Sequence, residues 1–131
     1  MTLILLPGTF AVCRLEPNAP VPAWATQGAF FSLTRTADEF SLIVAQEYVP
    51  AVLPSGILCE RDWRAIKVEG PLDFALTGIL TSLCTPLAEA GVSVFVLSTY
   101  DTDYMLVKEA QWQVASSVLQ QHHTIATVPK V

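Results

Sequence analysis

Between residues 64 and 128 the apolar side chains alternate, then recur every third or fourth position, then alternate again. Alternation sends neighbouring side chains to opposite faces of a strand, whereas recurrence at three and four marks one stripe of a helix. Trp63-Arg64-Ala65-Ile66-Lys67-Val68 reads as a strand with one buried face, ended by Gly70-Pro71. Thr77 then stands as a helix N-cap, with Ile79, Leu80, Leu83, Leu87 and Ala90 on one stripe and Gly91 as the stop. Pro86 falls inside that helix and removes one of its hydrogen bonds. Val92 to Leu97 and Tyr104 to Val107 read as strands, Glu109 to Gln120 as a second helix with Trp112, Ala115, Val118 and Leu119 inward, and Thr124 to Val128 as a last strand. The order β-α-β-β-α-β predicts an α+β class and the ferredoxin-like split βαβ plan.

The N-terminal half is punctuated differently. Phe10 to Leu15, Phe30 to Thr34 and Phe40 to Ala45 read as short strands, separated by the Pro-rich run Pro17 to Pro22 and a charged turn at Asp38-Glu39. Ala23-Trp24-Ala25 has room for one helical turn, and Tyr48 to Pro54 is broken by prolines. Met1 to Leu6 is apolar, but it lacks a basic leader and is stopped by Pro7-Gly8, so it is not read as a signal segment. No uninterrupted apolar run reaches the ~18 residues of a membrane span.

Composition excludes several functions. A formal charge of −5 with only seven Lys and Arg repels a phosphate backbone, so nucleic acid is not expected as a partner. At 131 residues and 52% hydrophobic, the chain is apolar enough that part of its surface is expected to close a homodimer. Cys13, Cys59 and Cys84 lack CxxC spacing and read as small buried hydrophobes in a reducing, cytoplasmic setting. His122-His123 has no third ligand at metal-binding spacing, and Ser98 lacks a G-x-S-x-G context. No metal, cofactor, membrane contact or catalytic residue is expected.

Two places carry charge or anion-binding chemistry. In Ser98-Thr99-Tyr100-Asp101-Thr102-Asp103-Tyr104 the two acids either punctuate a turn or, if the segment is extended, share a face, repel and receive a cation. Thr77-Gly78-Ile79 puts a hydroxyl and backbone N–H groups at a helix start, which serves either plain capping or a carboxylate.

The stretch VEGPLDFALTGILTSLCTPLAEAGVSVFVLSTYDTDYMLV resembles the ACT domain, the small regulatory module that binds amino acids. Its Pro71 to Gly78 loop, its L-A-E-A-G-V turn and its S-T-Y-D-T-D-Y hairpin are most similar to bacterial ACT-domain proteins related to the CASTOR arginine sensors. The resemblance implies an ACT domain over residues 63–131 and an abbreviated ACT-like unit over 1–62, hence a tandem ACT protein. It implies a non-enzymatic sensor of an amino acid or similar small effector; the alternative is a ligand-free module for oligomerisation or partner binding. Thr99, Tyr100 and Asp103 match the T-[FY]-x-x-D segment of the sensors, and Gly70 and Asp73 match their G-x-x-[DE] loop. With Asp101, Thr77, Gly78 and Ile79 these residues form the implied ligand site, the loop and hairpin lying side by side as they do in the family.

Overall fold

The structure is a computed structural model that describes residues 1–70 and 78–128. In chain order its elements are β1 (Thr2–Leu5), β2 (Phe10–Leu15), β3 (Ser32–Arg35), β4 (Phe40–Ala45), β5 (Leu58–Val68), α1 (Ile79–Glu89), β6 (Val94–Ser98), β7 (Asp103–Lys108), α2 (Trp112–Gln120) and β8 (Thr124–Thr127). Single turns of 3-10 helix occur at Ala23–Thr26, Gln46–Tyr48 and Glu109–Gln111. The chain divides into two compact units, one of Met1–Pro7 with Arg64–Val131 and the other of Gly8–Trp63.

The first unit has the ferredoxin-like ACT plan with one addition. Its strands run in the order β8, β1, β5, β7, β6. β1 pairs antiparallel with β5, Leu3 opposite Val68, and parallel with β8, Leu3 opposite Ile125. The division expected at 62/63 put residues 1–7 with the segment that follows them; the structure places them in the C-terminal unit instead. Period-2 side chains explain the sheet face that is covered: Ile66 and Val68 of β5, Met105 and Val107 of β7, and Leu3 of β1 are buried against Leu83 and Leu87 of α1 and Ala115 and Leu119 of α2. Each such Leu or Ile contributes roughly 1.5–3 kcal/mol on burial.

α1 ends as its sequence suggests. Gly91 takes a left-handed φ of 78°, its N–H donates to the Ala88 carbonyl, and the Val92 N–H reaches the Leu87 carbonyl at 2.9 Å. With Leu87 and Val92 both buried together, this is a Schellman stop complete with its apolar contact. Ala90, expected on the inward stripe, is the exposed C-cap, because the helix has already ended there. Pro86 does lie inside the helix. In α2 only Ala115 and Leu119 are fully buried, with Trp112 and Val118 packed at the margin.

The second unit is a sheet in the order β3, β4, β2 and the first part of β5, antiparallel throughout. Its core is Ala11, Cys13, Leu15, Phe40, Leu42 and Val44, covered by Ala25 and Val49. Arg35 lies 3.9 Å over the Phe40 ring and donates to the Pro17 and Ala19 carbonyls, which ties down the Pro-rich segment. The β2–β5 register shifts between Phe10 and Val12, where β5 carries one extra residue. Asp62 at that bulge has a φ of 67°, and the Gln46 side-chain amide holds it by accepting from its N–H at 2.6 Å and donating to its carboxylate at 2.9 Å.

Candidate ligand-binding site

The hairpin between β6 and β7 is closed by the pair Ser98 and Asp103. Inside it the Thr99 N–H donates to the Thr102 carbonyl at 2.8 Å, and the Thr99 hydroxyl donates to the same carbonyl at 3.2 Å. That leaves Tyr100 and Asp101 at the tip, with Tyr100 82% exposed. Asp101 is therefore in the turn and not in a strand, so alternation does not put it on one face with Asp103. Asp103 opens β7 half-buried, and its carboxylate accepts the Ser98 hydroxyl. Among the described residues neither acid meets a cation.

A residue that the sequence reading passed over fixes this hairpin. Thr102 is a polar side chain only 4% exposed, and its hydroxyl donates to the Val68 carbonyl at 2.6 Å. That bond ties the hairpin to the last residue of β5, two residues before Gly70. Leaving such a buried group unpaired costs about 1–3 kcal/mol, so the bond adds to the β5–β7 pairing in holding the hairpin in place. Its sequence signal is slight, since a Thr in a turn is ordinarily a solvated turn residue.

Gly70 is exposed just beyond β5. Asp73 and Thr77 lie outside the described residues. The N-cap of α1 is Gly78, not Thr77: Gly78 has a left-handed φ of 79° with open space where a Cβ would be, and its carbonyl accepts from the Ser82 N–H at 2.9 Å. Only glycine enters a helix from that backbone region without strain. Ile79 begins the helix, half-buried against the core. The negative charge of Asp103 reaches α1: the Cys84 thiol is pushed up from its ordinary value, first by burial and then by Asp103, and its sulfur stands 3.9 Å from that of Met105 on β7.

The structure thus ties the hairpin that carries Thr99, Tyr100, Asp101 and Asp103 to the last residue of β5 through Thr102, and sets Met105 of β7 beside Cys84 of α1. Chemically the hairpin offers two carboxylates and a turn backbone. Among the described residues no three His, Cys, Asp or Glu side chains gather as metal ligands, and no helix is long and apolar enough to cross a membrane.

A family model described as ACT domain matches residues 58–121, and a second, for an N-terminal domain, matches residues 8–52. The cytosolic arginine sensor for mTORC1 subunit 1 is 38% identical over 103 residues in both Bos taurus and Homo sapiens, covering 73% of this chain and 31% of those proteins. The chain therefore spans about a third of the length of these curated relatives. A crystal structure of a protein from Agobacterium tumefaciens is 32% identical and superposes with a TM-score of 0.87 over 98% of this chain and 94% of its own. Aspartate kinase from Clostridium acetobutylicum, an allosteric enzyme, shares the fold with a TM-score of 0.63 at 14% identity, over 86% of this chain and 32% of its own. With the ACT plan in the C-terminal unit, arginine-sensor relatives at 38% identity over 73% of the chain and a solved relative at 32% over 98% of it, the chain belongs to the ACT-domain proteins related to the CASTOR-type arginine sensors.

Proposed function

We propose that this chain is a non-catalytic regulatory module that binds an amino acid, with arginine the first candidate, at the corner between the β6–β7 hairpin and the loop leading into α1. The observation that carries the reading is the Thr102 hydroxyl bond to Val68, which ties the hairpin that carries the two acids to the end of β5. A free amino acid presents an anion and one or more cations. Asp103 and Asp101 suit the cationic end, Gly78 and Ile79 at the start of α1 suit the carboxylate, and Asp73 and Thr77 complete the proposed set. Asp73 is one methylene shorter than a glutamate at that position, so the length of the preferred cation is left open between arginine and lysine. The relatives named as arginine sensors support the ligand class.

Calorimetric titration of the full chain with arginine, lysine and uncharged amino acids tests this. Asp103→Asn is expected to weaken binding of the cationic ligand by about 1.5–3 kcal/mol, the worth of a charge-assisted hydrogen bond, while the fold is retained. Unchanged affinity together with a clearly lowered melting temperature would make the acids turn caps and end this reading.

A second reading, a homodimer that forms without ligand, is favoured by one observation. β6 pairs with β7 alone among the described residues, so its other edge carries no strand there, and Val96 on it is 37% exposed. Sedimentation with and without amino acid separates the readings: a ligand-independent dimer that binds no amino acid favours the second.

A further inference from the structure

Cys13 on β2 and Cys59 on β5 are register partners across an antiparallel pair, and their sulfurs stand 3.3 Å apart with both thiols free. Residues directly opposite in such a pair have Cα atoms roughly 4.5–5.5 Å apart, inside the range of about 4.4–6.8 Å that a disulfide spans. Cys13 is 1% exposed, while Cys59 is half-buried at the edge of the same core. We infer that these two residues are a redox modification site, closing into a cross-strand disulfide when Cys59 meets a low-molecular-weight disulfide such as oxidised glutathione.

The order of events follows from exposure. Burial, then the hydrogen bond that Cys13 donates to Cys59 and the charge of Cys59, push the Cys13 thiol up to about 12, partly offset by the positive charge of Arg61, so Cys13 is a poor first nucleophile. Cys59 loses its proton and attacks one sulfur of oxidised glutathione; a Cys59–glutathione bond forms, the glutathione S–S bond breaks, and one glutathione leaves as thiolate to take up a proton. Cys13 then loses its proton to solvent and attacks the Cys59 sulfur, forming the protein disulfide and expelling the second glutathione. Two protein thiols are oxidised and one glutathione disulfide is reduced to two thiols. The bond pins β2 to β5 just before the register shift at Asp62 and crosses 46 positions of sequence, so it constrains the unfolded chain of the N-terminal unit.

The test is to hold the full chain in oxidised glutathione, alkylate free thiols and map the peptides by mass. The expected result is a Cys13–Cys59 cross-link with Cys84 alkylated, reversed by dithiothreitol, and a melting temperature raised by roughly 5 °C or more. Cys13→Ser is expected to stop at a glutathione adduct on Cys59, and Cys59→Ser to leave Cys13 as a free thiol. If wild-type protein keeps all three thiols, retains the adduct on Cys59 unresolved, or links through Cys84 or between chains, the inference is overturned; this part of the test does not depend on the variants folding.

Discussion

Thr102 shows how one polar atom positions a site. Its hydroxyl is buried, meets the Val68 carbonyl, and has no water to fall back on if the partner is lost. Thr102→Val keeps the shape and removes the donor. It is expected to cost about 1–3 kcal/mol by denaturant titration, with Thr102→Ser retaining most of the stability. A second residue-scale effect concerns pH. Burial, and then the positive charge of neighbouring groups, His122 among them, lower His123 below its ordinary 6.5, and its buried Nδ1 meets no hydrogen-bond partner among the described residues. The folded state thus binds this proton more weakly than the unfolded chain, whose histidine titrates near 6.5. The resulting contribution is fully present above that value and is lost as pH falls from it through the lower folded value. Melting curves from about pH 7.5 down to about pH 5 are expected to fall more steeply for the native chain than for His123→Gln.

At the scale of the element, α1 carries opposite lessons at its two ends. Both are glycines with left-handed φ, Gly78 and Gly91, and at both a Cβ would meet nothing within 4 Å. Replacement by alanine therefore brings backbone strain without a clash. Gly91→Ala is expected to destabilise by about 1–2 kcal/mol, measured by denaturant unfolding, with the Schellman bonds kept at a strained C′ residue. The hairpin is the other element that matters. Its strands and its acids were legible from alternation and composition, whereas the place of Asp101 in the turn was not, because that depends on which residues pair across it. Ser98 opposite Asp103 leaves four residues between the strands, and that register puts one acid at the tip and one in β7. The N-cap shifted for a related reason: hydroxyl preference pointed to Thr77, and the backbone conformation of Gly78 decided otherwise.

For the molecule as a whole, β1 is the element that links sequence ends to core. Leu3 is fully buried between β5 and β8, and the Glu69 N–H donates to the Thr2 carbonyl while the Thr124 N–H donates to the Met1 carbonyl. Removing residues 1–7 would take from β8 the one strand it pairs with among the described residues, take from β5 one of its ladder partners, and open the core at Leu3. Such a truncated chain is expected to lose cooperative unfolding of the C-terminal unit in near-ultraviolet circular dichroism. Leu3→Ala, a milder change, is expected to cost about 2–5 kcal/mol in the same unit. A truncated chain as stable as the full one would show β1 to be dispensable.

The sequence by itself determined the kind and order of the elements from 64 to 128, the stop at Gly91, the strands Phe10–Leu15 and Phe40–Ala45, and the presence of two acids in one hairpin. These are local properties, set by side-chain period and by the backbone freedom of single residues within a few positions. Only the tertiary structure decided that Thr2–Leu5 belongs beside Val68 and Thr124, that Thr102 anchors the hairpin, and that Cys13 faces Cys59. Each of those is a pairing across 34 positions or more, as the 34 between Val68 and Thr102 and the 46 between the two cysteines show. A strand's own residues say that it will pair and which face it buries; they do not name its partner, because backbone N–H and C=O groups are the same in every strand and the choice is made by the packing of the finished core.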